Sequence, residues 1–509
     1  MNRNICMFLS FFMVAAAGTA MGAEFQPMGT LGIGGAGVAR TYDAYAPYWN
    51  PAGLAFSDKS FTSRIDVSVG LKVNDGLADN VDLLGNMNFD KFSKISGTSS
   101  PQDVTDTVKA ITILNDIKEK KGTLAVNGNA VFGFQINHVA FGAFGTIEGF
   151  AQPEPDTVNI LPQQDNTNVQ VTPAEFAAPT IGAAPSTKFF GTDTGPTSLR
   201  GQINSALTSN GFTATEANGL INATDAQMTG SGMSPQQVAS TLISMATTFT
   251  APPPSDPTKA PTLDNNTTSV LTRSLAYIEF PLSYGHAFNL GSFGTLGLGA
   301  TAKVIAGRVY QSQTYLMKSG STVKSSDITK ELTKNFKDST NFGFDLGALW
   351  RYSDWFNVGI VAKNLNTPEF DAPDIKNKKG DVLVGSGGKV RLKPQVRMGV
   401  SLDPYKWLTL AADLDLTENE TVVAAEGFKN RTVGGGFEWH GLSWFKLRGG
   451  MYSNIADGGI GPTATAGLTF GTKWFNMDID GAYSLDTAIY KEKNYPQEAR
   501  VQAQFNFLF

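Results

Sequence analysis

Residues 501–509, VQAQFNFLF, end the chain in a two-residue alternation that only Leu508 breaks. Val501, Ala503, Phe505, Phe507 and Phe509 fall on one face, and Gln502, Gln504 and Asn506 fall on the other. A period of two is the signature of a strand, here with one apolar and one polar face. The polar face carries carboxamides rather than the mixed charges of a solvated surface.

It recurs through most of the chain. Phe61–Val73 alternates Ile65, Val67, Val69 and Leu71 with Arg64, Asp66, Ser68 and Lys72. Equivalent runs occur at 124–136, 139–151, 270–288, 293–317, 339–352, 355–365, 389–403, 407–417, 430–440, 444–454, 462–473 and 474–486. With 499–509 these predict fourteen strands. The connections between them alternate without exception. Tight turns such as Asn137-His138, YSDW, DPYK and HGLS join every second pair, and longer segments join the others. Short turns at one end and long loops at the other, with an even strand count, predict an all-β, antiparallel transmembrane β-barrel. Lipid permits such a sheet only when it closes, because every backbone donor must find a partner. Trp355, Trp407, Trp444 and Trp474 each open a strand at a tight turn, which places four indoles at one membrane boundary.

Two segments interrupt the series. Residues 75–121 contain Val104, Val108, Ile111, Leu114 and Ile117 at helical spacing after Pro101. Residues 152–269 are rich in Pro, Thr, Asn and Ala, with short helices expected at 198–208, 213–229 and 234–246 and a linker-like end, PPPSDPTKAPTLDNNTT. Both are read as α-helical extracellular inserts, since loops this long lie outside a compact core.

The N-terminus has a different organisation. Arg3, an apolar run from Ile5 to Ala17 and small residues up to Ala23 predict a secretory signal over 1–23. Cys6, the one cysteine, falls within it, which leaves no thiol chemistry for the exported chain. Residues 24–57 are then read as a luminal plug, with the barrel and its inserts over 58–509. Gly32, Gly34, Gly35 and Gly37 give the plug too little side-chain mass for a core of its own, so its backbone is expected to lie against the wall. Asn50, Pro51 and Ala52 supply the turn that returns the chain to the first strand. Gly32, Gly34 and Gly37, with Asp58 downstream, also match a dinucleotide fingerprint, but no buried strand precedes them and the nucleotide reading fails.

Composition agrees. Acidic residues number 45 against 40 basic ones, for a net charge of −5, and loss of Arg3 with the signal adds one more negative charge. That balance argues against direct nucleic-acid binding. The run GIGGAGVARTYDAYAPYWNPAGLA resembles the N-terminal hatch of the FadL-type long-chain fatty-acid transporters, outer-membrane barrels plugged by their own N-terminus. VAKNLNTPEFD at 361–371, KPQVRMGV at 393–400 and LTLAADLDLT at 408–417 are closer to a branch named after the plasmid-transfer protein TraF. Phe505, Phe507 and Phe509 resemble the terminal signal by which outer-membrane barrels are recognised for insertion. The resemblance implies outer-membrane lipid and the barrel-insertion machinery as partners. It also implies either hydrophobic small molecules as cargo or conjugation proteins as associates.

On the inward faces of the later strands lie Lys389, Arg391, Lys393 and Arg397, then Asp413 and Asp415, Glu438, Lys446 and Arg448, and Asp478 and Asp480. Opposite signs on adjacent strands predict cross-strand pairs that fill and neutralise the lumen, or else line a polar path. Gly142, Gly145 and Gly149 interrupt the packing of the third strand, as at a bulge or a close approach of another backbone, and the resemblance implies a kink there beside the plug. His138, His286 and His440 have no metal-ligand spacing or nucleophile around them. No enzyme activity and no cofactor are therefore expected.

Overall fold

The computed structural model describes residues 24–73, 80, 83–84, 87–120, 122–164, 169–249, 260–317, 335–420, 429–456, 460–490 and 493–509. The signal expected over 1–23 lies outside the described residues, as do parts of both inserts. Fourteen strands form one closed antiparallel barrel. They are β1 (Phe61–Val73), β2 (Leu124–Ile136), β3 (Val139–Glu154), β4 (Ser269–Asn289), β5 (Thr295–Tyr315), β6 (Phe336–Ser353), β7 (Phe356–Lys363), β8 (Gln395–Tyr405), β9 (Leu408–Asp415), β10 (Thr432–Leu442), β11 (Phe445–Asn454), β12 (Thr463–Gly471), β13 (Phe475–Ser484) and β14 (Glu498–Leu508). Each pairs with its sequence neighbours, and β14 closes on β1, where Val67 faces Ala503 and Ile65 faces Phe505.

The alternation sorts the side chains as the sequence predicts. Val67, Val69, Phe132, Phe342, Phe344, Ile479 and Val501 are exposed on the outside, while Asp66, Asn129, Gln502, Gln504 and Asn506 are buried inside. A closed sheet with an apolar exterior and a polar interior is the architecture of a membrane-spanning barrel. Trp355, Trp407, Trp444 and Trp474 are all exposed at the tight-turn end, where the rings of Tyr405 and Trp407 stack 5.1 Å apart. An indole at that level keeps its apolar body in lipid and its N–H in water.

At the loop end, four helices form a cap: α1 (Pro101–Lys120), α2 (Leu199–Ser209), α3 (Ala214–Met228) and α4 (Pro235–Phe249). Thr213 caps α3 reciprocally with Glu216, and Ser198 caps α2 through the Gly201 N–H. The two inserts share one core. Val104, Val108 and Ile111 of α1 pack with Ile203, Leu207, Leu220, Leu242 and Met245 of the second insert. Below it Ile113, Leu114 and Ile117 meet Val270, Leu316 and Met317 at the rim of the barrel. The second insert is therefore a folded unit rather than an open loop.

One expected strand is divided. The run read as 389–403 enters the wall only at Gln395, and Lys389–Arg391 instead pairs with Glu369–Asp371 in a separate two-stranded sheet. Pro394 lies at the break, where its missing N–H cannot serve a ladder.

Candidate functional site

The plug docks on the wall at several places, and glycine clusters make two of them. At the turn end, Asn50 opens a 3-10 turn over Pro51–Phe56, with its Oδ1 accepting from the Ala52 N–H at 3.1 Å. Its amide donates to Val38 O at 3.0 Å and to Ala348 O of β6 at 3.1 Å. A side chain could not fit beneath this turn. A Cβ on Gly347 would lie 2.0 Å from Asn50 Oδ1, and one on Gly299 would lie 2.2 Å from the Pro51 carbonyl carbon. A Cβ on Gly285 would lie 2.7 Å from Ala55 N, and one on Gly297 would lie 2.5 Å from the Phe56 ring and 2.9 Å from Ala52 O. The second dock lies across β10–β13. There Gly34, at φ +67°, would place a Cβ 2.5 Å from Gly435 O, and a Cβ on Gly434 would lie 2.1 Å from Gly34 O. Gly32 meets Gly467 and the Asp480 carboxylate.

Two of the expected wall contacts are corrected. Gly35, at φ +73°, has only Pro27 near its side-chain position, at 3.4 Å, so its backbone conformation rather than the wall excludes a side chain. Gly37 lies against Trp49, 2.3 Å from the ring, a contact within the plug itself. Trp49 is fully buried and donates to Met28 O at 2.6 Å, and its ring packs with those of Phe25 and Tyr48. The plug therefore has a small aromatic core, which glycine content alone had not suggested.

Charges fasten the plug to the wall. The Asp413 carboxylate accepts from the Gly37 and Val38 N–H groups at 2.8 and 3.0 Å. Arg40 reaches Glu438 at 3.0 Å, Arg64 pairs with Asp43, and Lys72 pairs with Glu24. Tyr45 donates to Asp66 at 2.8 Å, and Gln26 bridges Glu148 and Arg500. Within the wall, Arg397 meets Asp415 at 2.7 Å, and Arg448 binds Glu438, Asp478 and Asp480 at 3.1, 2.8 and 2.9 Å. Lys446 lies at the rim, half-exposed and 3.7 Å from Glu438. The cations of this set are all ion-paired, while Asp66, Asp413 and Glu148 accept hydrogen bonds from neutral donors.

Lys389 and Arg391 leave the luminal set: both are exposed in the separate sheet and hold Glu369 at 2.8 and 2.6 Å. Lys393 is half-buried on the connection into β8. The sequence reading missed a further group. Lys303 of β5 lies between Glu279 of β4 and Asp345 of β6, at 2.8 and 2.9 Å. Beside it Lys363 of β7 is buried over the Tyr48 ring at 3.6 Å. Single charges at inward positions of otherwise apolar strands were the available signal.

The third strand is interrupted at Gly142, one of the three glycines expected to kink it. Its register against β4 is unbroken in number, although the pairs at Gly142 and Ala143 are missing opposite Phe280 and Pro281. Pro281 cannot donate to the ladder, which accounts for part of that gap. Gly142 faces inward against Phe132 O, whereas Gly145 and Gly149 lie on the opposite parity. His138 touches the plug at Leu54 O, 2.8 Å away, while His286 is exposed on the outer surface.

Read along the inward positions of β5, the lumen has three levels. Gly297 and Gly299 hold the plug turn, Lys303 holds the ion cluster, and Ile305, Gly307 and Val309 form an apolar level toward the loops. At that last level Ile305 and Val309 join Leu275, Ala125 and Phe150 of the wall.

Among solved structures, the toluene transporter TodX of P. putida covers 96% of this chain and 99% of its own, at 11% identity and a TM-score of 0.42. The toluene transporter TbuX of Ralstonia pickettii gives 12%, 0.41 and the same coverage. A FadL homologue of Pseudomonas aeruginosa gives 12% identity and 0.42 over 97% of this chain and 99% of its own. No curated protein matches the sequence. The family model described as "F plasmid transfer operon, TraF, protein" matches residues 47–415, from the plug's Pro47 through the end of β9. The chain belongs to that TraF family, the branch whose motifs it carries at 361–371, 393–400 and 408–417.

Proposed function

We propose that this protein is a passive channel of the bacterial outer membrane for hydrophobic small molecules, with residues 24–57 as its gate. The observation that carries the reading is the apolar level of the lumen at Leu275, Ile305 and Val309. Lumen side chains are ordinarily polar, whereas this level, covered by the connection between Lys363 and Gln395, offers an apolar surface to a passenger once that connection lifts. The plug supports the same reading. Its links to the wall are side-chain and charge contacts rather than ladder pairing, so it can shift without opening the sheet. Short turns and the tryptophan ring on one side, with the helical cap on the other, orient the turns toward the periplasm and the cap outward.

Growth and uptake on a panel of hydrophobic substrates, compared between wild type and a deletion strain, test this function. Reduced uptake of at least one apolar substrate in the deletion strain is expected; an unchanged profile would overturn the transport reading. A second reading, an assembly component of a conjugal transfer or secretion apparatus, is favoured by the family match and by the independently cored cap. It requires the deletion to reduce DNA transfer with uptake unchanged.

A further inference from the structure

The connection between β7 and β8 does not leave the barrel mouth but folds back into it. Phe370 is fully buried and lies in a notch of the wall: a Cβ on Gly307 of β5 would be 2.3 Å from its ring. The ring of Tyr277 stacks on it at 6.5 Å with an interplanar angle of 28°. Ala372, Val390 and Leu392 from the same connection complete the cluster with Leu275, Ile305 and Val309. Every side chain in this cluster is uncharged.

The base of this flap is anchored to β6, where the Asn364 and Leu365 N–H groups donate to Asp345 Oδ1 and Phe344 O. Asn366 accepts there from the Phe344 N–H and donates to Phe342 O. Beyond that base the polar ties of the flap are few. Asn341 donates to Glu369 O at 2.5 Å, the Asp371 N–H donates to Ser339 Oγ at 3.1 Å, and Asn335 donates to Asp374 O at 2.8 Å. Its ion pairs, Glu369 with Lys389 and Arg391, lie within the flap and are exposed, where such pairs contribute little. Lys378 links its far end to the cap through Asp264 O and Asn266 O. The main attachment is therefore the burial of apolar side chains, above all one aromatic ring. A segment held in this way competes directly with any molecule that offers the same buried surface.

We propose that the Phe370 notch is a binding site for one uncharged ring of a hydrophobic passenger, held shut by the chain's own phenylalanine. The flap over 364–394 then acts as a second gate on the loop side of the plug. This inference rests on the transport reading for its purpose but not for its chemistry, because an apolar cavity of this kind binds benzene-sized guests whatever the protein does.

The test is a Phe370→Ala variant crystallised and soaked with iodobenzene. An anomalous iodine peak between Tyr277 and Gly307 is expected in the variant and not in wild type. Its absence from a variant whose flap is otherwise in place would overturn the site. Should Phe370→Ala fail to fold, Gly307→Ala displaces the ring from the wall side and leaves the flap sequence intact; it is expected to give the same peak, and no peak would again overturn the site. In a background whose plug is loosened by Asn50→Ala, iodobenzene uptake by cells should rise several-fold when Phe370→Ala is added and stay unchanged when Val384→Ala is added, a control on the same flap that is 91% exposed. A peak without an uptake change upholds the ring site and overturns the second gate. Uptake that depends on the barrel, with no peak, sinks the site while leaving the channel function standing.

Discussion

Replacing Asn50 with Ala should loosen the plug while leaving the barrel closed. The residue is fully buried and makes three hydrogen bonds, to Val38 O, to Ala348 O and from the Ala52 N–H. Loss of the cap on the Pro51–Phe56 turn costs about 1 kcal/mol. Each buried carbonyl deprived of its donor adds about 1 kcal/mol. The sum is on the order of 3 kcal/mol, or roughly a hundredfold in the ratio of undocked to docked plug. Hydrogen exchange followed by mass spectrometry reads that ratio directly. Peptides over 29–56 should exchange about a hundred times faster in the variant if docking limits their exchange. Peptides from β1, β5 and β14 should not change, since the ladder does not involve Asn50. Asn50→Asp keeps the acceptor for Ala52 but loses both donations, so it should do no better than Ala. Gly347→Ala reaches the same contact from the wall, where the added Cβ would lie 2.0 Å from Asn50 Oδ1. Unchanged exchange over 29–56 in both Asn50→Ala and Gly347→Ala would refute the docking argument.

Other perturbations separate the remaining parts. Phe509 exchanges backbone hydrogen bonds with Phe61 at 2.9 and 3.1 Å, and its ring meets those of Phe61 and Trp474. Its deletion or replacement by Glu should lower the yield of heat-modifiable folded barrel on a gel, and a normal yield would count against its role in closure. In the cap, burial opposes the charged form of Asp225, but hydrogen bonds from Ser186, Phe190, Phe189 and Arg200 outweigh it and hold the carboxyl below the usual aspartate range. Its stabilisation is complete above the unfolded value of about 4 and is lost as pH falls through the lower folded value. Helical circular dichroism should therefore melt earlier below about pH 4 in wild type, and Asp225→Asn should melt early even at pH 7. Protease added to intact cells should cut within 252–268, on the cap side. Cleavage only after the outer membrane is opened would invert the orientation.

Much of the fold was legible because alternation is a local property. β1 and β2 occupy the residues expected of them, since no proline or glycine cluster interrupts Phe61–Val73 or Leu124–Ile136. The same property misled at Lys389–Lys393. A basic and aliphatic alternation looks identical in a barrel wall and in a flap, and only Pro394 separates the two. The luminal ions were partly legible. Arg397 with Asp415 and Arg448 with Glu438 pair across neighbouring strands as their parity implies, and Arg448 also reaches past β12 to Asp478 and Asp480. Lys303, Glu279 and Asp345 were missed because each is a lone charge in an apolar run. Nothing local distinguishes Gly34 from Gly35, both at positive φ; only the wall strands β10–β11, some four hundred residues further on, make one of them a contact. Phe370 was illegible for a related reason, since a single phenylalanine in a loop has no period.

The two obstructions lie at different levels of the lumen, and that arrangement sets what single variants can show. The Asn50 turn rests on Gly297 and Gly299, while Phe370 rests on Gly307, further along the same strand and beyond the Lys303 ion cluster. Barriers in series do not add their conductances, because opening one leaves the other to limit flow. Asn50→Ala should therefore change hydrogen exchange greatly and conductance little, and Phe370→Ala should likewise leave conductance low while the plug remains docked. The double variant should exceed the sum of the two single effects. Such non-additivity is expected only of sites that share one path, since distant independent sites combine additively. Single-channel recordings of the four proteins, each first shown to be folded, would decide it. Conductance in the double variant equal to the sum of the single effects would mean that the plug and the flap do not obstruct the same path, and the reading of the lumen as one gated route would fail.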